Sequence, residues 1–210
     1  MQYALQGSLL DQAADGPKVG PLAGSIVRTE LTEGAWVDVL PGWLRGSDAL
    51  FERLARHAPW RAERRWMYER VVDVPRLVCW YGENDELPDP VLVHARTALN
   101  EHYDAELGEP FVTAGLAFYR DGRDSVAWHG DRIGRGSEED TMVAILALGT
   151  PRTLALRPRG GGRGPRFKLG HGDLLVMGGS CQRTWEHSVP KTARPTGPRI
   201  SVQFRPHGVG

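Results

Sequence analysis

Three side chains set the chemical question in this chain: His129, Asp131 and His187. In the run WHGD, His129 and Asp131 stand two apart in a stretch that reads as a strand. Side chains at i and i+2 of a strand share a face, so an imidazole and a carboxylate there can reach one ion together. His187 follows 58 residues after His129, beside the strand-like run LLVMGG. Two imidazoles and one carboxylate on one face make the facial triad of non-heme iron(II) oxygenases. Such a triad leaves three coordination positions open, which an oxidation by dioxygen with a keto acid needs. A second His-x-Asp pair, His171-Gly172-Asp173, reads instead as a turn feeding LLVM. The chain between it and His187 is too short to cross to an opposite sheet and return. His57, His94, His102 and His207 have no carboxylate at strand spacing and are expected at the surface or as satisfied core residues.

A second feature lies twelve residues beyond His187, in PRISVQFRP. Arg199, Ser201, Gln203 and Arg205 share one face of this strand, and Ile200, Val202 and Phe204 the other. Two arginines pointing inward require anions. Their Cα atoms would lie roughly 20 Å apart at about 3.3 Å per residue, a gap that long side chains narrow. Together they can grip both carboxylates of a dicarboxylic acid through charge-assisted hydrogen bonds.

The elements that must position these groups are legible in outline. Residues 1–34 mix Gly, Pro and Asp with short apolar stretches and read as a partly ordered lead-in. Ala35 to Leu40 reads as a strand stopped by Pro41-Gly42. SDALFERLARH, residues 47–57, reads as a helix opened by a capping Ser or Asp, with Leu50, Phe51 and Leu54 at helical spacing. The stretch 61–82 is rich in β-branched and aromatic residues and reads as two short strands interrupted by Pro75. Residues 88–107 read as a helix turning Val91, Val93 and Ala98 to a core. From residue 111 onward, short apolar runs alternate with Gly, Pro and Asp clusters, the spacing of an all-β sandwich or barrel. RPRGGGRGPRFK is a basic, glycine-rich loop with no helix behind it and no GK[ST] ending, which argues against a P-loop.

Composition narrows the class. The 210 residues suit one compact domain with an extension, with an N-terminal part at 35–110 and a β core at 111–207. Net charge is zero, so no global field draws the protein to a polyanion and any nucleic-acid contact must be local. The basic residues are 23 Arg against 3 Lys, a bias toward the planar fork that suits carboxylate and phosphate. Cys79 and Cys181 make neither a disulfide framework nor a metal-ligand spacing. The N-terminus lacks a signal-peptide pattern, and no apolar run is long enough for a membrane span. A soluble, cytoplasmic monomer is the expectation.

The order HGD, then HGDLLVMGG, His187 and RISVQFR resembles the AlkB family of dioxygenases. The likeness is close over residues 111–206 and looser over 35–110. It implies a mainly β fold with flanking helices around a double-stranded β-helix, or jelly roll. It implies iron(II) at His129, Asp131 and His187, and 2-oxoglutarate at Arg199 and Arg205. LAFYRDG resembles the family's N-x-Y strand, placing Tyr119 at the co-substrate, with Ser201 on the same arginine-bearing face. The implied activity consumes dioxygen and 2-oxoglutarate, yields succinate and carbon dioxide, and removes alkyl groups from DNA or RNA bases, a methyl leaving as formaldehyde. Four positions depart from the family pattern. Ala117 replaces the Asn of N-x-Y; Ser201 and Gln203 replace the Asn and Thr of R-x-N-x-T-F-R. Ile133 stands where family members commonly carry an acid that helps read the base.

On the substrate side, Arg65, Trp66, Tyr68, Arg76 and Tyr81 belong to a stretch of interleaved basic and aromatic residues. Such a stretch suits phosphate contact with base stacking, and the resemblance places a nucleotide-recognition lid there. Ordinary hairpin packing would use the same residue types. Arg157, Arg159, Arg163 and Arg166 form a second basic cluster, read as a solvated loop or a phosphate rim. Two other functions fit the pattern: the same oxidation on a protein or small molecule, and a non-catalytic nucleic-acid-binding jelly roll.

Overall fold

A computed structural model of the protein describes residues 16–67 and 70–210, without the side chains of residues 65–73. The strands are β1 (Lys18–Val19), β2 (Val27–Glu30), β3 (Ala35–Leu40), β4 (Leu44–Arg45), β5 (Arg61–Met67), β6 (Arg70–Tyr81) and β7 (Phe111–Tyr119), followed by β8 (Val126–His129), β9 (Val143–Gly149), β10 (Arg152–Pro158), β11 (Arg166–Leu169), β12 (Leu174–Gly179), β13 (Trp185–Val189) and β14 (Arg199–Pro206). Helices α1 (Ser47–His57), α2 (Pro90–Leu107) and α3 (Cys181–Thr184) complete the set with two short 3-10 turns. An eight-stranded sheet runs β2-β3-β12-β9-β14-β7-β6-β5, and a four-stranded sheet runs β11-β10-β13-β8. The resulting fold is a jelly roll of two antiparallel sheets with helices packed outside the larger one.

The large sheet is buried on both faces at its centre, which its sequence explains. In β9, VAILALG, all seven residues are buried, the continuous apolar run of a strand covered on both sides. Ala144, Leu146 and Leu148 pack with Ile200, Val202, Phe204, Leu50, Phe51, Leu54, Leu92 and Leu99 against the helices. Val143, Ile145 and Ala147 pack with Leu154, Leu156, Met177 and Trp185 between the two sheets. Each such large side chain contributes roughly 1.5–3 kcal/mol by leaving water.

Several elements differ from the expectation for clear physical reasons. Helix α1 has the expected bounds, but its N-cap is Gly46 at φ 66°, with no side-chain cap; Ser47 instead donates to the Leu44 carbonyl at 2.6 Å. In α2, Asp89 caps the first turn by accepting from the Val91 amide. Val91 is buried as expected, but Val93 is exposed; the buried stripe is Val91, Leu92, Ala95, Leu99 and Tyr103. The two strands expected over 61–82 are present as β5 and β6, but the break does not fall at Pro75, which lies inside the twelve-residue β6. Pro75 is tolerated because the β5–β6 register shifts opposite it, Ala62 pairing with Leu77 and Arg64 with Asp73. Pairing of β6 with β7 begins only at Leu77, so Pro75 lies where no second strand needs its missing N–H. In the lead-in, residues 1–15 lie outside the described residues, while β1 pairs with β4 in a separate two-stranded sheet and β2 forms one edge of the large sheet.

Candidate metal and co-substrate site

His129 ends β8 and His187 sits in the middle of β13, directly paired across the small sheet. The second histidine therefore stands on its own strand, not beside LLVMGG, which belongs to the other sheet. WEHSV mixes Glu, His and Ser with two apolar residues, so its strand character comes from pairing with β8 and β10. The two imidazole centroids are 4.2 Å apart. Asp131 follows just past the end of β8, with Oδ1 3.6 Å from His129 Nε2. One ligand atom from each of His129, Asp131 and His187 lies within 4.8 Å of the others, close enough for all three to reach one ion.

The chemistry of the donor set fits a divalent metal. His129 Nδ1 lies 2.8 Å from the Ala127 carbonyl. A carbonyl only accepts, so Nδ1 carries the proton and Nε2 keeps its lone pair toward the cluster. Burial, then the neighbouring His129, pushes His187 down to about 3, so its ring is neutral and able to ligate. For Asp131, burial acts to raise the carboxyl, but Arg205, His187 and His129 outweigh it and hold it well below the usual carboxylate range. Arg205 Nε donates to Asp131 Oδ2 at 2.8 Å, leaving Oδ1 on the histidine side.

The arginine strand, β14, runs through the middle of the large sheet between β7 and β9. Its polar face looks between the sheets into a cavity of about 700 Å3, lined by Tyr119, Arg199, Ser201, Gln203 and Arg205 as well as the three candidate ligands. Register places Tyr119 opposite Arg199 and Ala117 opposite Ser201. Arg199 is 1% exposed, and its Nε and Nη1 have no hydrogen-bond partner among the described residues. A buried guanidinium with idle donors costs several kcal/mol unless an anion takes them, an order-of-magnitude figure for a buried charge. The two arginines are therefore not equivalent, contrary to the expectation of a symmetric grip: Arg205 is committed to Asp131, while Arg199 holds open donors. Ser201 Oγ accepts from Gln203 Nε2 at 2.6 Å, so the two departures from the family pattern on this strand bond to each other.

Gly115 explains how Arg205 reaches Asp131. A Cβ there would meet Arg205 Nη1 at 2.9 Å and the Trp80 ring at 3.2 Å. Trp80, 51% exposed, lies with its ring 5.8 Å from the Arg205 guanidinium and lines the cavity. Of the expected substrate residues, Arg76 lines the same cavity and donates to the Ser125 carbonyl at 3.2 Å. Tyr81 does not line it; it packs on the helix-side core with its partner Ala114. Strand alternation could have corrected this, since Arg76, Val78 and Trp80 share a face and Tyr81 has the opposite one. Arg65 and Trp66 lie on β5 with side chains that are not described, and Tyr68 lies outside the described residues. Ile133 is 75% exposed at the cavity rim, its backbone paired with Gly210. His171 accepts from the Gly149 amide at 2.6 Å, and Asp173 from the amides of Gly42 and Gly170, so that pair serves a turn. Arg157 is held by Glu186 and lies 4.3 Å over Trp128, leaving the exposed part of the second basic cluster to its neighbours.

The sequence matches the family described as the 2OG-Fe(II) oxygenase superfamily over residues 37–205. The alpha-ketoglutarate-dependent dioxygenase alkB homolog 3 of Bos taurus is 30% identical over 190 residues, covering 80% of this chain and 65% of that protein. The chain belongs to the AlkB family within this superfamily. The DNA oxidative demethylase ALKBH2 of Arabidopsis thaliana is 28% identical over 197 residues, 74% of this chain and 60% of its own length. The AlkB-family chain thus spans less than two thirds of these relatives. In three dimensions it superposes on OsALKBH1 with a TM-score of 0.61 at 16% identity, covering 86% of this chain and 100% of that one. A prolyl hydroxylase from Trichoplax adhaerens, solved with a hypoxia-inducible-factor peptide, gives 0.58 at 12% identity over 83% and 84%. The superfamily uses iron(II), 2-oxoglutarate and dioxygen, and the cluster of this AlkB-family member is compatible with iron.

Proposed function

We propose that the protein is an iron(II)- and 2-oxoglutarate-dependent dioxygenase that oxidatively dealkylates N-alkylated bases in DNA or RNA. One observation carries it: a buried Arg199 with open donors shares one cavity with the His129, Asp131 and His187 cluster. The named activities of the AlkB relatives support the substrate class. With iron(II) and 2-oxoglutarate bound, dioxygen would be the oxidant, one oxygen atom going to succinate as the keto acid loses carbon dioxide and the other to an N-methyl group, which would leave as formaldehyde.

The chain's own residues do the rest. His129, Asp131 and His187 hold the metal and leave its other positions free. Arg205 neutralises one oxygen of Asp131 and keeps the other pointed at the histidines. Arg199 takes the far carboxylate of the keto acid, with Tyr119 and Ser201 alongside it. Ile145, Leu154 and Val189 line the apolar part of the cavity and exclude water from the reacting centre. At the mouth, Trp80 offers an exposed ring to a flipped base, and Arg76 lies within reach of a phosphate. Arg65 and Trp66 on β5, and Tyr68 next in sequence, remain part of the proposed nucleic-acid contact. The protein acts as a monomer in the cytoplasm; among the described residues no helix is long and apolar enough to cross a membrane.

The test is product analysis. Protein supplied with iron(II) and 2-oxoglutarate should release formaldehyde and succinate in equal amounts from oligonucleotides carrying N-methylated bases. Succinate release stimulated by peptides or small molecules and indifferent to every modified oligonucleotide would overturn the substrate assignment.

A further inference from the structure

The loop that carries Asp131 is held from behind by a residue with no part in the expected motifs. Gln182 lies on α3, 1% exposed, and its Oε1 accepts from the Asp131 amide at 2.9 Å. Among the described residues its Nε2 reaches only the Met177 sulfur, at 3.9 Å, so the Asp131 amide is its one strong side-chain bond there. Its own backbone carbonyl faces Gly130: a Cβ on that glycine would lie 2.5 Å from it and 3.3 Å from the Trp185 carbonyl. The Gly130-Asp131 peptide is therefore laid flat on the segment Gln182–Trp185, which runs directly into β13 and His187. Helix α3 is itself anchored, since Ser180 Oγ donates to the Glu33 carbonyl.

We infer that Gln182 is a positioning residue for the metal centre: it fixes the carboxylate ligand relative to His187, five residues further along its own segment. Asp131 is then held at both ends, by Gln182 at its amide and by Arg205 at its carboxylate. Groups behind a ligand tune metal affinity by about 10–100-fold without touching the ion. The inference rests on the metal role proposed for His129, Asp131 and His187.

The test is equilibrium binding of cobalt(II), read by its visible absorption, beside the melting temperature of metal-free protein. Gln182→Met keeps size and helix preference but removes the acceptor. It should weaken cobalt binding about 10–100-fold while metal-free melting stays near wild type. Gln182→Glu, which restores an oxygen at the same reach, should recover most of the loss. Wild-type affinity in Gln182→Met, or an equal loss in Gln182→Glu, overturns the inference. Should Gln182→Met fail to fold, Gly130→Ala probes the same contact from the other side by lifting the peptide off Gln182. Unchanged cobalt affinity in that variant also overturns it. His187→Ala is the control: undiminished cobalt binding there would refute the triad itself, a separable result.

Discussion

Two arginines, Arg28 and Arg199, sit in opposite situations. Arg28 bridges β2, β3 and α2: it donates to both oxygens of Asp38 at 2.7 Å and to both of Glu106 at 2.7 and 2.9 Å. Its guanidinium lies 3.8 Å over the Trp36 ring, and Tyr103 completes the network by donating to Asp38 at 2.9 Å. Arg199 is the more deeply buried of the two, yet two of its nitrogens meet no acceptor among the described residues. A closed network binds the fold together. An open one in the interior marks where a ligand anion completes the structure. The same residue type thus distinguishes scaffold from site by what is missing around it.

The comparison can be broken in several ways. Asp131→Ala should abolish turnover while leaving the fold intact; normal turnover in a product assay would remove the metal site from the argument. Arg199→Ala should raise the 2-oxoglutarate requirement by about a hundredfold or more, as expected for losing a charge-assisted pair worth roughly 3 kcal/mol. Oligonucleotide affinity should fall far less, and the reverse pattern in titrations would show the strand misassigned. Arg28→Met should do the opposite. It should leave the 2-oxoglutarate requirement unchanged but destabilise the protein by about 1–3 kcal/mol in urea unfolding, because buried Asp38 loses its main partner. The smallest effect concerns Cys79 and Cys181, whose thiols burial pushes up to about 11 and about 12. Native protein at pH 8 should resist alkylation at both positions, whereas urea-unfolded protein is labelled; rapid native labelling would show the cavity wall at Cys79 to be open.

Much of the site was legible because its parts are local. His129 and Asp131 are two residues apart, and Arg199 to Arg205 share one strand face, so spacing alone groups them. Helix α1 was equally plain, with Leu50, Phe51 and Leu54 on one stripe and Pro59 behind it. What spacing does not carry is partnership across sheets. Nothing in RISVQFR reveals that Arg205 is taken by Asp131 and Arg199 is not; that choice is made where β14 and the β8 loop meet. The pairing of His187 with His129 was hidden for the same reason, since β13 has no alternating pattern of its own. The exchange of Tyr81 for Trp80 is a different error, one of strand parity. Gln182 offered no signal, because a buried amide in a four-residue helix looks like any polar turn.

The site also joins two supports of unequal stiffness. Arg199 rides on a strand flanked on both sides, whereas His129 closes one whose only ladder partner among the described residues is β13, at the margin of the smaller sheet. Fraying should start at that margin. Chelation or gentle heating would then dismantle the metal end while the anion end stays shaped, leaving a demetallated protein still able to retain its keto acid and to be recharged with iron without refolding.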